Sequence, residues 1–203
     1  MTQITIVNTT TEAVRIAVYR RPVLLPTLST IAWRIVEPPP NGGQTIVQIP
    51  ENYAVFANYS YNEVEREDPN AGNRTNVIQF AEDTARFIAS PVPTQDRRAN
   101  AATLTQSFDG LVMNEARIEN QFGYGVWGHI TKDGDDVYAP QVIWPGAVMM
   151  EDLRESFFLA VVGQFVSKGD RLVQEETSIT ETEILGGGTA TVSGSKWKGY
   201  AIA

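Results

Sequence analysis

The chain has 203 residues, with 24 Asp+Glu against 16 Lys+Arg for a formal charge of −8, one His and no Cys. Without a thiol there is no disulfide framework, cysteine zinc site, iron–sulfur cluster or cysteine nucleophile, and one imidazole cannot give a metal two histidine ligands within a protomer. The acidic balance repels phosphate backbones and anionic lipid surfaces, so nucleic acid is disfavoured as a partner.

Two-residue alternation recurs from end to end and predicts strands. Ile4 and Ile6 alternate with Thr5, Asn8-Thr9-Thr10-Thr11-Glu12 turns the chain, and Val14, Ile16 and Val18 alternate with Arg15, Ala17 and Tyr19, which reads as a hairpin. Pro22 and Pro26 bracket an extended segment, Val23-Leu24-Leu25. A strand at Ile31–Ile35 stops at Pro38-Pro39-Pro40-Asn41-Gly42-Gly43, a stiff turn. Gln44–Ile49 and Tyr53–Tyr61 read as two more strands joined by Pro50-Glu51-Asn52, before the acidic break Glu63–Gly72. Val77, Ile78 and Phe80 form a weaker pair with Ala85–Ala89, and Ser90–Ala102, with Pro91, Pro93, Arg97 and Arg98, is the best linker candidate.

The second half keeps the habit. Strands are expected at Leu111–Ile118, Tyr124–Thr131 and Val137–Trp144, with Asp133-Gly134 marking a hairpin turn. Met149–Glu155 suits a short helical turn. Phe157–Val166 is the most apolar run, and Ser167-Lys168-Gly169-Asp170 turns it back into Arg171–Ile184. Thr189–Ser193 and Lys196–Ile202 close the chain. No fixed-period repeat is visible, which argues against a solenoid or propeller. The expectation is an all-β antiparallel sandwich, of which a jelly-roll-like arrangement is one form, with at most one short helix. It would be one domain over residues 1–203, with a lobe boundary near 90–102 as the alternative.

Gly123-Tyr124-Gly125-Val126-Trp127-Gly128 matches G-x-G-x-x-G, but the following residues run into the Asp133-Gly134 turn where a phosphate site needs a helix N-terminus. The glycines instead suit a strand packed closely against a neighbour. His129 is the sole imidazole, and no G-x-S-x-G ties it to a hydroxyl nucleophile, so no catalytic residue is expected and the chain reads as a non-enzyme without a cofactor. Asp133, Asp135 and Asp136 offer oxygen ligands of the kind Ca²⁺ prefers, without the EF-hand spacing; a plain hairpin turn is the simpler reading. Asn8, Asn58 and Asn73 open formal glycosylation sequons. Tyr53, Tyr59 and Tyr61 around an Asn-containing strand, and Trp197 with Tyr200 near the end, are the candidate ligand-binding aromatics.

The run Ile4-Thr5-Ile6-Val7-Asn8-Thr9-Thr10, then Val18-Tyr19-Arg20-Arg21-Pro22, Ile31-Ala32-Trp33, Gln44-Thr45-Ile46-Val47 and Tyr53-Ala54-Val55-Phe56, resembles the rhizosphere-induced RhiA-like proteins of bacteria over about the first 60 residues. The resemblance implies a β-sandwich of cytoplasmic or leaderless-exported type. It brings no catalytic residues, and Pro22 and Trp33 fall at signature positions that look structural.

No apolar run reaches the 18 residues of a transmembrane helix, and Met1–Asn8 lacks a signal peptide's charged and apolar regions. The expected compartment is therefore the cytoplasm, with leaderless export as the alternative. The expected function is self-association into a homo-oligomer or ordered filament through edge strands and aromatic patches, with Leu111–Ile118 and Thr189–Ile202 as candidate strands. Glycan binding by Tyr, Trp and Asn is the alternative, and a membrane-active β-sandwich toxin a further one.

Overall fold

The computed structural model describes residues 2–23, 30–81, 83–92, 101–173 and 181–203. In chain order the strands are β1 (Thr2–Asn8), β2 (Arg15–Tyr19), β3 (Arg34–Val36), β4 (Gly43–Ile49), β5 (Tyr53–Tyr59), β6 (Asn73–Arg74), β7 (Ile78–Phe80), β8 (Ala85–Pro91) and β9 (Ala102–Ser107). They continue as β10 (Glu115–Asn120), β11 (Val126–Lys132), β12 (Asp135–Asp136), β13 (Gln141–Ile143), β14 (Val148–Asp152), β15 (Ser156–Val162), β16 (Thr182–Leu185), β17 (Gly188–Ser195) and β18 (Gly199–Ile202). Among the described residues the only helical element is the 3-10 turn Glu65–Glu67, so the chain is all-β.

The strands form two compact units. Unit 1 comprises Met1–Glu51, Val137–Ala139 and Glu155–Ala203; unit 2 comprises Asn52–Asp136 and Pro140–Arg154. Unit 1 has two four-stranded sheets, ordered β18-β17-β1-β4 and β16-β15-β2-β3. Alternation in β1 buries Ile4 and Ile6 beside Ala190 and Val192 of β17. The apolar β2 and β15 are buried on both faces. Ile16 and Val18 lie opposite Val161 and Leu159 on one, while Ala17, Tyr19, Ala160 and Val162 pack with Ala32, Val166 and Leu172 on the other. Each fully buried aliphatic side chain contributes about 1.5–3 kcal/mol relative to exposure. Trp33 packs on Phe157 at 5.3 Å, and the buried Arg20 guanidinium lies over the Tyr138 and Phe157 rings at 5.3 and 5.4 Å.

Unit 2 has one sheet ordered β14-β10-β8-β9 and another ordered β12-β11-β5-β6, in which β13 also pairs with β11 and β7 with β5. Most pairings are antiparallel. Each unit, however, contains one parallel pair, β1 with β17 and β8 with β10, joining strands whose connection runs through other parts of the sandwich.

The two units share one topology. Substituting β9, β8, β10 and β14 for β18, β17, β1 and β4, and β7, β5, β11 and β13 for β16, β15, β2 and β3, reproduces every pairing in unit 1 with its direction. Registers agree as well. Tyr53 faces Phe80 in β5/β7 as Phe157 faces Ile184 in β15/β16, and Ile88 faces Thr105 in one hairpin as Thr191 extends to Ala203 in the other. Strands β1–β4 thus correspond to β10, β11, β13 and β14, and β15–β18 to β5, β7, β8 and β9. The chain is a tandem repeat, β1–β9 followed by β10–β18, and each unit takes its first half from one repeat and its second half from the other. The repeat is one of topology, invisible as a sequence period.

Several sequence expectations are corrected. Asn8–Glu12 is not a hairpin turn: β1 and β2 lie in different sheets, because the Asn8 amide donates to Glu12 O at 2.9 Å and Pro38 O at 3.1 Å and holds the chain at a corner. Likewise β4 and β5 belong to different units, and β7 and β8 to different sheets. Met149–Glu155 is not a helical turn; Val148–Asp152 pairs in register with β10, burying Met149 and Glu151 alternately. Leu111–Asn114 is not strand, because Gly110 and Asn114 take φ of 63° and 61°. Asp133 and Gly134 do turn β11 into β12, at φ of 54° and 78°. The ends of the linker candidate, Ser90–Pro91 and Ala102, lie in the β8/β9 pair, while its 93–100, Leu24–Pro26 of the extended segment and 174–180 of the expected strand lie outside the described residues.

Candidate functional site

The five candidate aromatics are divided between the two units, Tyr53, Tyr59 and Tyr61 in unit 2 and Trp197 and Tyr200 in unit 1. Tyr53 is 4% exposed, stacked on Phe80 at 5.4 Å with the Lys132 ammonium 3.7 Å from its ring centre, and Tyr59 is 7% exposed. Both are core, because β5 is covered on both faces. Tyr61, half-buried, meets Tyr59 edge-on at 6.2 Å and Tyr124 at 5.1 Å. In unit 1, Trp197 stands exposed in the β17/β18 turn, while the Tyr200 hydroxyl donates to Glu12 at 2.7 Å. Burial and then that carboxylate push the Tyr200 phenol up to about 12.

An aromatic cluster that the sequence reading missed gathers at one end of unit 2. Tyr61, Phe122 and Tyr124 are mutually in contact, and Trp144 lies over Gly125 so closely that a Cβ there would meet its Cε3 and Cζ3 at 3.1 Å. Tyr124 and Trp144 are exposed. Arg66 spans the cluster: its guanidinium is 5.5 Å from the Tyr124 ring and donates to Tyr61 O at 3.1 Å, while its own carbonyl accepts from Trp127 Nε1 at 2.8 Å. The Tyr61 hydroxyl is buried without a hydrogen-bond partner, and desolvation raises its pKa. The adjacency of Phe122 and Tyr124 to Gly123 and Gly125 was the one signal available in the sequence, since the contact of Gly125 with Trp144 depends on the fold.

The other residues singled out in the sequence sit in local packing and hydrogen-bond contacts. His129 is 1% exposed, stacked on Phe56 at 4.4 Å, with Nδ1 3.1 Å from Asp136 Oδ1 and Nε2 3.0 Å from Pro69 O. Asp136 therefore turns onto the imidazole instead of joining Asp133 and Asp135 at a cation, and no group of three metal-ligating side chains occurs among the described residues. Within the glycine motif, a Cβ at Gly128 would meet Ile143 Cδ1 and Met149 Sδ at 2.8 Å, so this glycine seats β11 against its core.

The sheet edges differ in how they are guarded. Of the segments expected to pair with a partner, β10 lies between β8 and β14 and β17 between β1 and β18, while β18, the end of Thr189–Ile202, is an edge strand. Edge strand β9 is plugged by Asn76, whose amide donates to Leu104 O at 2.8 Å and accepts from Leu104 N at 2.8 Å, imitating a neighbouring strand. At β18, Thr182 Oγ1 caps Ile202 O. Edge strand β14 carries Glu151 and Asp152, and the edges of the other two sheets run two to four residues.

Among the described residues, edge strand β4 has none of these guards. Its seven residues, Gly43-Gln44-Thr45-Ile46-Val47-Gln48-Ile49, carry no charge and no proline, and among the described strands they pair with β1 alone. Val47 and Ile49 turn inward, while Gln44, Ile46 and Gln48 are exposed, Ile46 at 48%. The strand is self-complementary. An antiparallel copy centred on Ile46 sets Ile46 against Ile46 and Gln44 against Gln48, joining apolar to apolar and amide to amide. Among the described residues, no helix is long and apolar enough to cross a membrane.

Comparison with protein-family models, with curated proteins and with solved structures finds no match to this chain.

Proposed function

We propose that this chain acts by association rather than turnover, and that it joins a second copy of itself by adding β4 to β4 across an antiparallel edge. The carrying observation is β4 itself: a long, uncharged, unplugged edge among edges that are short, charged or capped. Outward-facing edge groups are a template for another strand, whose arrival replaces their bonds to water with a ladder. Each copy carries a formal charge of −8, so long-range repulsion opposes the encounter, while the contact strip brings no charge with it. Association should therefore tighten as salt rises, since screening removes the repulsion and leaves the contact intact.

Sedimentation velocity across a concentration series tests this. Wild type should shift from monomer to dimer or larger species, more so at high salt. Ile46→Lys, at an exposed position, should remain monomeric with an unchanged circular dichroism spectrum. A wild type that stays monomeric throughout, or an Ile46→Lys chain that associates equally well, overturns the reading.

A second reading rests on the aromatic end of unit 2, where the exposed Tyr124 and Trp144 faces could stack on sugar rings. Retention on a glycan array, abolished by Trp144→Ala, would favour it over self-association.

A further inference from the structure

We infer that unit 1 is completed either by its own chain or by two chains, so that copies of this protein link head to tail by exchanging halves. The inference comes from connectivity, does not use the β4 edge, and stands or falls separately from it.

Unit 2 is built from β5–β9 and β10–β14, which are consecutive in the chain. Unit 1 is built from β1–β4 and β15–β18 together with the buried segment Val137–Ala139, and all of unit 2's strands lie between those two sets of strands in sequence. The ladder that closes its first sheet is the parallel pair β1/β17, from Ile4↔Gly188 to Asn8↔Val192; its second closes at β2/β15, from Phe158↔Tyr19 to Val162↔Arg15. Every one of these bonds joins one half to the other. Nothing in their chemistry requires both halves to come from the same molecule. A β1–β4 half from one copy and a β15–β18 half from another form the same ladders and the same Asn8 corner, and the buried Val137–Ala139 segment that completes the core is supplied by one of the two copies.

The repeat strengthens the case. Each repeat already gives its two halves to different units, so exchange between equivalent partners is how this chain folds, not an added event. Two of the crossings are short connections, Pro50-Glu51-Asn52 between β4 and β5 and Leu153-Arg154-Glu155 between β14 and β15, and the chain also enters and leaves unit 1 at Val137–Ala139. Short connections resist folding back and favour exchange. Unit 2 would remain intact in each link, with a β1–β4 half before it and a β15–β18 half after it. Because both halves are used in opposite senses, the product is an open chain of copies unless its ends meet. Which product forms depends on whether a half meets its own partner or another copy's first, so exchange is set by concentration during folding.

The absence of native cysteine makes the test direct. Thr5 and Thr189 are register partners across β1/β17, as are Val7 and Thr191. The full-length double variants Thr5→Cys/Thr189→Cys and Val7→Cys/Thr191→Cys are unfolded in denaturant with reductant, refolded over a range of concentrations, oxidised, and run on a non-reducing denaturing gel. Ser193→Cys/Ala201→Cys, which bridges β17 to β18 inside one half, is the control. Both cross-half variants should give monomer at low concentration and a ladder of dimer, trimer and larger species at high concentration, lost on reduction. The control should give monomer alone. Ile46→Lys added to either cross-half variant should leave the ladder unchanged, which separates this exchange from the β4 contact. Monomer bands at every concentration in both cross-half variants, or an equal ladder in the control, overturn the inference.

Discussion

Asn8 and Asn120 hold the same corner in the two repeats. Asn8 Nδ2 donates to Glu12 O at 2.9 Å and Pro38 O at 3.1 Å, and its Oδ1 accepts from Thr10 N at 3.0 Å. Asn120 Nδ2 donates to Tyr124 O and Ile143 O, each at 2.7 Å, and its Oδ1 accepts from Phe122 N at 2.8 Å. Both are fully buried, both end the strand that pairs in parallel with its neighbour, and the carbonyl of each accepts from a glycine amide at 2.7 Å, Gly42 for Asn8 and Gly146 for Asn120. One amide side chain thus satisfies three backbone groups where the chain leaves one sheet for the other.

Alanine at either position strands those groups in the interior. Leaving a buried polar group unpaired costs about 1–3 kcal/mol, so Asn8→Ala and Asn120→Ala should each lower stability by roughly 2–4 kcal/mol. Asp should rescue little, because it accepts but cannot donate to two carbonyls. Urea midpoints measure both. A loss confined to one of the two positions would break the equivalence of the corners.

Gly128 and Gly123 belong to one motif and should behave oppositely. A methyl at Gly128 enters the space of Ile143 and Met149, whereas one at Gly123 meets nothing within 4 Å. Gly128→Ala should cost about 1–3 kcal/mol by overpacking, and Gly123→Ala should stay within about 0.5 kcal/mol. Thermal melts of the two variants check this; equal effects would remove the packing role.

Local structure was legible in the sequence and pairing was not. Alternation at Ile4 and Ile6 places a strand, and Asp133-Gly134 places a hairpin, because both depend on neighbouring residues. Asn8-Thr9-Thr10 carries the composition of a tight turn, and nothing local distinguishes a hairpin from a corner held by Pro38, thirty positions away. The repeat escaped because its halves share backbone demands more than side chains. Asn8 with Val14 and Asn120 with Val126 keep one spacing, and Gly42 and Gly146 keep positive φ, but Ile16 stands where Gly128 does. The aromatic candidates failed for a related reason: alternation does not reveal that β5 is covered on both faces, which hides Tyr53 and Tyr59. The β4 edge was legible as a strand, but only sheet order makes it an edge.

Asn76 is the clearest guard against unwanted pairing. Removing its amide in Asn76→Ala frees both Leu104 N–H and Leu104 C=O on β9, another strand without charge. The variant should lose about 1–2 kcal/mol from the broken bonds. It should also associate through β9, even when Ile46→Lys has blocked β4. Sedimentation velocity of the double variant decides; a monomer there would mean that the β9 edge is closed by something besides Asn76.

Two tyrosines of unit 1 set its response to alkali. Burial pushes the Tyr19 phenol up to about 12, partly offset by Arg21, and its hydroxyl has no hydrogen-bond partner. Burial and Glu12 push Tyr200 to about 12 as well. An unfolded chain releases these protons near pH 10, before the folded one does, so the folded state binds more protons between about 10 and 12. Their contribution is complete below about pH 10 and is lost as pH rises toward about 12. Tyr19→Phe should flatten that alkaline fall and also raise stability at neutral pH by about 1 kcal/mol, because it removes a buried hydroxyl that bonds to nothing. Tyr200→Phe should flatten the fall but gain nothing at neutral pH, having given up its bond to Glu12. Urea midpoints from pH 7 to pH 12 separate the two, and a Tyr19→Phe chain less stable than wild type at neutral pH would show that its hydroxyl is satisfied in solution.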